Sequence, residues 1–303
     1  MVAQAERVAV VCPLGCAALE PDPTPLRDNR FALPHEVRVA WCPECGLGVT
    51  LDQPSREELA ELYEQEYPDE GRVPRTGALA RVWHAVNGSL PIADRVREGP
   101  VLDVGCHTGE TLAALQARGF VVVGLEPNPR AAAVARARGL DVVGAPIEQA
   151  DLRSGQFRTV LLSQVLEHVE DPHLVLGKVR ESLAPGGAAF VVVPNAESAA
   201  RRLFGAHWAH WHVPFHLFHH TARSLRKLCA QSELEIRRLE TVTPGEYLML
   251  SILAWRNARR GCYSIDPFTG RYGTRVLLAP LGRALDLAGR GDAIYAEVVR
   301  AER

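Results

Sequence analysis

The most constraining feature of the sequence lies between residues 100 and 126. Val101-Leu102-Asp103-Val104 is a short apolar run that breaks into Gly105-Cys106-His107-Thr108-Gly109 and then into sequence of helical periodicity over residues 110–118. A second apolar run, residues 120–125, ends at Glu126, and residues 128–138 again read as helix. Apolar runs that alternate with helix-length segments are what parallel strands joined by crossover helices require. Further strands fit residues 141–143, 158–162 and 188–193, with turns such as Pro185-Gly186-Gly187 between the units. The expected fold class is α/β with a doubly wound sheet. A chain of 303 residues has room for about two domains. With 47% hydrophobic and 23% charged residues, it is neither disordered nor fibrous.

The loop after the first strand decides what this sheet can bind. A dinucleotide site would show G-x-G-x-x-G, whose amides cradle a pyrophosphate. That triplet is absent here. Asp103 stands two residues before Gly105, where a carboxylate repels phosphate and helps hold a cationic ligand. Glu126, at the end of the second strand, can accept hydrogen bonds from both hydroxyls of a ribose. An acid at a glycine bend and a diol acceptor one strand over point to S-adenosylmethionine.

Four segments then resemble the class I S-adenosylmethionine-dependent methyltransferases, in the order that family uses. Residues 102–109 resemble its first motif, and Glu126-Pro127-Asn128 its acidic second-strand motif. Residues 163–172, Ser-Gln-Val-Leu-Glu-His-Val-Glu-Asp-Pro, are similar to the segment after its fourth strand. Leu183-Ala184-Pro185-Gly186-Gly187 is similar to the turn before its fifth. The resemblance implies a Rossmann-like sheet of seven strands with the last antiparallel, residues 234–241 and 293–299 supplying the sixth and seventh. It also implies that Asp103, Gly105 and Gly109, with Cys106 and His107 in the same loop, line the methionine half of the cofactor. Glu126, beside Pro127, would hold the ribose, Ile147 and Glu148 would flank adenine, and Gln164 would close the pocket near the sulfonium. His107 stands where many members have a third glycine. His168 is expected to order its loop rather than act in chemistry.

The N-terminal part carries different chemistry. Cys12-Pro-Leu-Gly-Cys16 and Cys42-Pro-Glu-Cys45 are two knuckles separated by residues 17–41. Pairs spaced by two to four residues place two sulfurs on one face of a tetrahedral zinc ion. Cys12, Cys16, Cys42 and Cys45 are therefore expected to hold Zn2+, and four thiolates leave no open position, so the site is read as structural. The other cysteines, Cys106, Cys229 and Cys262, make the total seven, a poor framework for disulfides. A segment of this size buries too little core to fold without such a staple. Ser55-Arg56-Glu57-Glu58 is a capping box that starts a helix near residue 55. A loop over residues 69–77 and an amphipathic stretch over 78–96 follow. The expected organisation is a zinc knuckle over residues 1–53, a helical linker or cap over 54–99 and a methyltransferase domain over 100–303.

The least ordinary stretch runs from His207 to His220 and holds six histidines and four aromatic residues. It fits neither a helical nor a strand period, and Pro214 breaks any helix through it. Segments beyond the fifth strand of such a sheet lie at its carboxyl edge, where acceptors bind. Pro214, His216, Leu217, His219 and Thr221 are similar to the Pro-x-His-Leu-x-His-x-Thr signature of a bacterial small-molecule branch of the family, which also carries N-terminal cysteines. Phe215 and His220 depart from that pattern. Residues 205–221 are read as the acceptor-site loop, with His216 as general base, His219 as orienter or substitute and His212 at the rim. Histidine titrates near neutrality and suits proton removal from an acceptor.

Residues 244–290 form an insertion longer than a hairpin needs. Residues 246–260 within it read as an amphipathic helix that could lie over the acceptor. Arg256, Arg259 and Arg260 either meet an anionic substrate group or form a solvated helix end. The expected activity is methyl transfer to the oxygen or carbon of a small molecule such as a sugar, sugar nucleotide or secondary metabolite. An RNA methyltransferase with a zinc knuckle is the alternative, and a formal net charge of -2 argues against it. A non-catalytic module is a third reading, opposed by the full set Asp103, Gly105, Gly109 and Glu126. The partners expected are a small-molecule acceptor, no nucleic acid and no membrane, for a cytoplasmic monomer or homodimer.

Overall fold

The computed structural model describes residues 10–31, 33, 36–55, 58, 61–62, 92–263 and 272–302. The expected loop over 69–77, most of the stretch over 78–96 and residues 264–271 of the insertion lie outside the described residues. The first strands are β1 (Glu20–Pro21), β2 (Leu26–Arg27), β3 (Glu36–Trp41) and β4 (Gly48–Leu51). After the 3-10 turn Ile92–Arg95 come β5 (Val101–Val104), β6 (Val122–Leu125), β7 (Val142–Val143), β8 (Phe157–Ser163) and β9 (Leu183–Pro194). The chain ends with β10 (Phe218–His219), β11 (Leu234–Val242) and β12 (Ala293–Arg300).

Seven strands build the larger sheet in the order β11-β12-β9-β8-β5-β6-β7. Strands β5 to β9 pair in parallel, while β12 slots between β9 and β11 and is antiparallel to both. This is the expected Rossmann-like sheet with its last strand reversed. Every residue of β5 is buried, as a central parallel strand covered on both faces must be. The crossover helices start where their caps dictate. Asn128 accepts from the amides of Arg130 and Ala131 ahead of helix Pro129–Ala137, and Asp171 accepts from the amide of Leu174 ahead of helix Pro172–Ser182. One boundary differs from expectation. The turn read at residues 185–187 lies inside β9, because β8 keeps pairing with it from Leu183 through a bulge.

The smaller sheet joins the N-terminal segment to the histidine-rich segment. Its order is β1-β3-β4-β10, with β2 on the other edge of β3, and β10 comes from the histidine-rich segment. Phe218 pairs with Val49 and His219 with Gly48. Residues 10–51 are thus continued in space by residue 219 rather than by residue 54. Core packing follows the same route, since Leu14, Cys42 and Leu47 share one apolar cluster with Leu217, Leu225 and Leu228, and with Leu102 and Val160 of the larger sheet. No helix among the described residues is long and apolar enough to cross a membrane.

Candidate active site

The first part of the site is a bend at the carboxyl end of β5. Gly105 and Gly109 take φ of 70° and 82°, a region that favours glycine. A Cβ on Gly109 would also lie 2.3 Å from Leu140 Cδ1, so no side chain fits there. The amides of Gly105 and Cys106 donate to the Leu125 carbonyl at 2.8 and 3.0 Å, which ties the bend to β6. Glu126, just beyond β6, closes the arrangement. Its Oε2 accepts from the His107 amide and its Oε1 from the Asn128 amide, both at 2.8 Å. Each oxygen keeps a lone pair for a further donor, as a ribose diol requires.

Asp103 faces the same bend from β5 and is buried. Burial first, then the charges of Glu126 and Glu110, push its carboxyl up to about 7. Three acids therefore converge on one loop, and Arg138, 3.3 Å from Glu110, reaches only the outermost. A ligand bearing a sulfonium and an ammonium group would relieve that excess of negative charge, whereas a pyrophosphate would add to it. The residues present fit S-adenosylmethionine.

The other expected cofactor residues fall into place unequally. His107 adopts φ 50°, so the position keeps a glycine-like conformation while carrying an imidazole. Gln164, at the end of β8, is also left-handed at φ 59°, and its amide donates to Val192 O at 2.8 Å. Ile147 is buried, Glu148 beside it is half-buried, and Pro127 is exposed. Cys106 is a correction: its side chain packs into the apolar core with Leu112 and Leu115, so only its backbone belongs to the loop. Burial raises its thiol well above the usual range.

The second part is the histidine segment, which folds inward rather than around a rim. His210, His212, His216, His219 and His220 are all buried, and desolvation holds each below the ordinary imidazole pKa. His216 Nδ1 lies 2.9 Å from the His210 carbonyl, so it is the protonated nitrogen, and Nε2 faces His212 Nδ1 at 3.3 Å. His168 meets the same group from the loop after β8. Its ring is 4.6 Å from that of His216, and its Nδ1 lies 3.0 Å from the Phe215 carbonyl. His168 was expected only to order its loop, and the structure puts it beside the proposed base, partly exposed where His216 is not. The expectation of His212 at the rim does not fit its burial, with Phe31 and Phe215 packed against it. His219 has another task. Its Nε2 lies 3.0 Å from Thr50 Oγ1, and its ring sits between Trp41 and Trp211. Thr50 Oγ1 in turn donates to the His216 carbonyl at 2.6 Å, so His219 braces the segment against β4.

Several residues of this region carry no signal in local sequence. Thr50, Phe31 and Asn29, whose side-chain amide donates to the Trp208 carbonyl at 3.1 Å, reach the histidines only through the tertiary fold. Asp292 accepts from Trp208 Nε1 at 2.6 Å and lies 3.6 Å from His210 Nε2. The insertion supplies helix Gly245–Ala258, whose Tyr247 stacks 4.0 Å from His210 and whose Ser251 accepts from the Ala209 amide. Arg256, Arg259 and Arg260 are exposed at its far end, and Arg259 lies over Trp255. The second helix of the insertion, Tyr272–Leu287, was not anticipated, and it contains Pro280.

The four N-terminal cysteines converge. Their sulfurs all lie within 4.8 Å of one another. Cys12 and Cys45 are 3.7 Å apart, close to the edge of a tetrahedron with metal–sulfur bonds of about 2.3 Å. Amides of Leu14 and Cys45 donate to Cys12 and Cys42. Burial alone would raise Cys42, yet the Cys45 amide, the Cys45 thiol, the Glu44 amide and the Cys12 thiol bring it down to about 7. Helix Ala222–Gln231 anchors the cluster, with Lys227 3.0 Å from Cys16 Sγ and Thr221 Oγ1 donating to the Cys45 carbonyl. The set can hold a metal ion.

Comparison with known proteins bears on the family and the fold. Residues 79–239 match the profile of a methyltransferase domain family. A ubiquinone biosynthesis O-methyltransferase of Erwinia tasmaniensis is 28% identical over 152 residues, 43% of this chain and 63% of that protein. The C-methyltransferase NovU of Streptomyces niveus is 36% identical over 99 residues, 31% of this chain and 24% of its own length. The matched stretch thus spans less than two thirds of either relative. Among solved structures, an S-adenosylmethionine-dependent methyltransferase from Thermotoga maritima aligns with a TM-score of 0.50 at 19% identity, covering 73% of this chain and 93% of its own. The [4+2]-cyclase SpnF aligns at 0.52 with 18% identity, covering 83% and 98%. At such identities the structural likeness speaks for the fold alone.

Proposed function

Since the chain belongs to the class I S-adenosylmethionine-dependent methyltransferases, we propose that it methylates a small molecule at an oxygen or an acidic carbon, with the histidine cluster around His216 removing the acceptor's proton. S-adenosylmethionine supplies the electrophilic methyl group. Asp103 and Glu126 hold it by charge and by the diol, and the bare backbone at Gly105 allows close approach. In the transfer the acceptor's oxygen or carbon forms a bond to the methyl carbon as the sulfur–carbon bond breaks, and the acceptor's proton passes to the cluster. Desolvation holds the imidazoles of His168 and His216 below their ordinary pKa, which favours the neutral, proton-accepting form while making each a weaker base.

The observation that carries this reading is the convergence of Asp103, Glu126 and Glu110 on a left-handed glycine bend. The names of the relatives, one an O-methyltransferase and one a C-methyltransferase, support a small-molecule acceptor. A sugar, sugar nucleotide or secondary metabolite is the class we favour. Zn2+ suits the cysteine cluster, where it would staple residues 12–45 to helix Ala222–Gln231. Seven free cysteines suit a reducing, cytoplasmic setting. Helix Gly245–Ala258, which packs on His210, would cover the acceptor. A screen of hydroxylated small molecules and nucleoside-diphosphate sugars with methyl-labelled donor, and with RNA alongside, tests the acceptor class. A His216→Ala variant that keeps cofactor affinity and near-normal turnover would remove the cluster from the mechanism.

A further inference from the structure

We propose that His168, His212 and His216 form a second metal site, separate from the cysteine cluster, for a divalent transition ion such as Zn2+ or Co2+. One nitrogen from each of the three rings lies within 4.8 Å of the others. The His212 Nδ1 to His216 Nε2 separation of 3.3 Å equals the edge of a tetrahedron whose metal–nitrogen bonds are about 2.0–2.1 Å. A single N–H···N hydrogen bond would account for that distance alone. It would not account for the third imidazole, His168, closing on the same point with its ring 4.6 Å from His216.

The tautomers agree. His216 and His168 each present Nδ1 to a backbone carbonyl, of His210 at 2.9 Å and of Phe215 at 3.0 Å. A carbonyl can only accept, so Nδ1 carries the proton and Nε2 of both rings keeps its lone pair unprotonated. That outer hydrogen bond is the usual companion of metal-ligating histidine, fixing ring orientation and raising ligand basicity. His212 contributes from a left-handed backbone at φ 41°, a conformation that costs a non-glycine residue energy and aims its ring at the other two.

Three neutral imidazoles leave a tetrahedral ion one open position and a net positive charge. Arg30, whose charge also acts on His168 and His212, adds to that charge, so the fourth ligand is expected to be an anionic oxygen. The inference rests on the reading that the acceptor's proton is lost at this cluster, and it says how. An acceptor hydroxyl bound at the open position would release its proton to solvent water more readily than the free group, leaving a metal-bound alkoxide whose oxygen takes the methyl group, so the three imidazoles would hold the ion and none of them would take the proton.

The full chain, equilibrated with Zn2+ and passed through gel filtration, should retain two ions by elemental analysis. His168→Ala and His216→Ala should each retain one, and His207→Ala, in the same segment but outside the triad, should retain two. With Co2+ the wild type should show thiolate-to-cobalt charge transfer plus a second set of visible bands without it, and only the second set should vanish in His168→Ala. One ion per chain in the wild type, or a single thiolate-type cobalt spectrum, overturns the site whether or not the variants fold. S-adenosylhomocysteine titration of the same samples reads the methyltransferase assignment separately: two ions without cofactor binding would sink that assignment and leave the metal site standing.

Discussion

The cofactor half and the acceptor half of the site are built by opposite means. Asp103, Gly105, Gly109 and Glu126 lie within one strand-helix-strand unit, and backbone hydrogen bonds such as Cys106 N to Leu125 O shape their bend. The histidine cluster draws on residue 50 for its brace, residue 31 for its cover, residue 168 for its partner and residue 247 for its stacking. The first half resists change elsewhere in the chain. The second leans on the N-terminal segment through Thr50 and Phe31, so the cysteine cluster is expected to affect it without touching the first.

Removing the metal cluster should separate the halves most sharply. Cys42→Ser is expected to abolish tight metal retention and to loosen the small sheet. The cost is several kcal/mol, since structural zinc binding in small modules is worth about 10–16 kcal/mol. Methyl transfer should be lost while S-adenosylhomocysteine affinity stays within about tenfold. Calorimetry and thermal unfolding on one sample check both, and equal loss of cofactor binding would erase the distinction between the halves. Thr50→Val is a gentler cut. It leaves the His216 carbonyl and the His219 ring nitrogen without the hydroxyl between them, and buried groups left unpaired cost about 1–3 kcal/mol. Turnover should fall further than cofactor affinity.

The remaining predictions probe the cofactor half. Asp103 near 7 sits above the ordinary carboxylate value of about 3.9, so the folded chain keeps a proton the unfolded chain has released. Stability contributed by this group is therefore lost as pH rises from about 4 to about 7, and Asp103→Asn should flatten that slope in urea unfolding. A cationic ligand prefers the ionised acid, so cofactor affinity should rise with pH through about 7, by at most about tenfold per unit. The variant should lose that dependence. His107→Gly is the smallest case. It removes a left-handed non-glycine residue costing on the order of 1 kcal/mol and should raise stability by up to that amount, read as a small upward shift in Tm.

The same contrast explains what the sequence revealed. Strands β5 to β9, β11 and β12 announce themselves through apolar runs and punctuation, whereas the caps Asn128, Asp171 and Thr221 emerge only in the structure. The cysteine quartet is legible because its pairs are close in sequence. The histidine segment is visible as a concentration of imidazoles, but not the division of labour within it, because burial and partners decide that. His219 is claimed by Thr50, His210 lies 3.6 Å from Asp292, and His168, with no unusual neighbours in sequence, becomes the ring facing His216. Cys106 shows the converse, since its place in a loop motif says nothing about its side chain turning into the core.

The most direct test of the account is a calorimetric titration of S-adenosylmethionine into the wild type and into Glu126→Ala. The account predicts one-to-one binding displaced by S-adenosylhomocysteine and indifferent to ADP-ribose. Affinity should drop about 10- to 100-fold in the variant, as expected when hydrogen bonds to a charged group are lost. No binding by the wild type, or displacement by ADP-ribose, would contradict it.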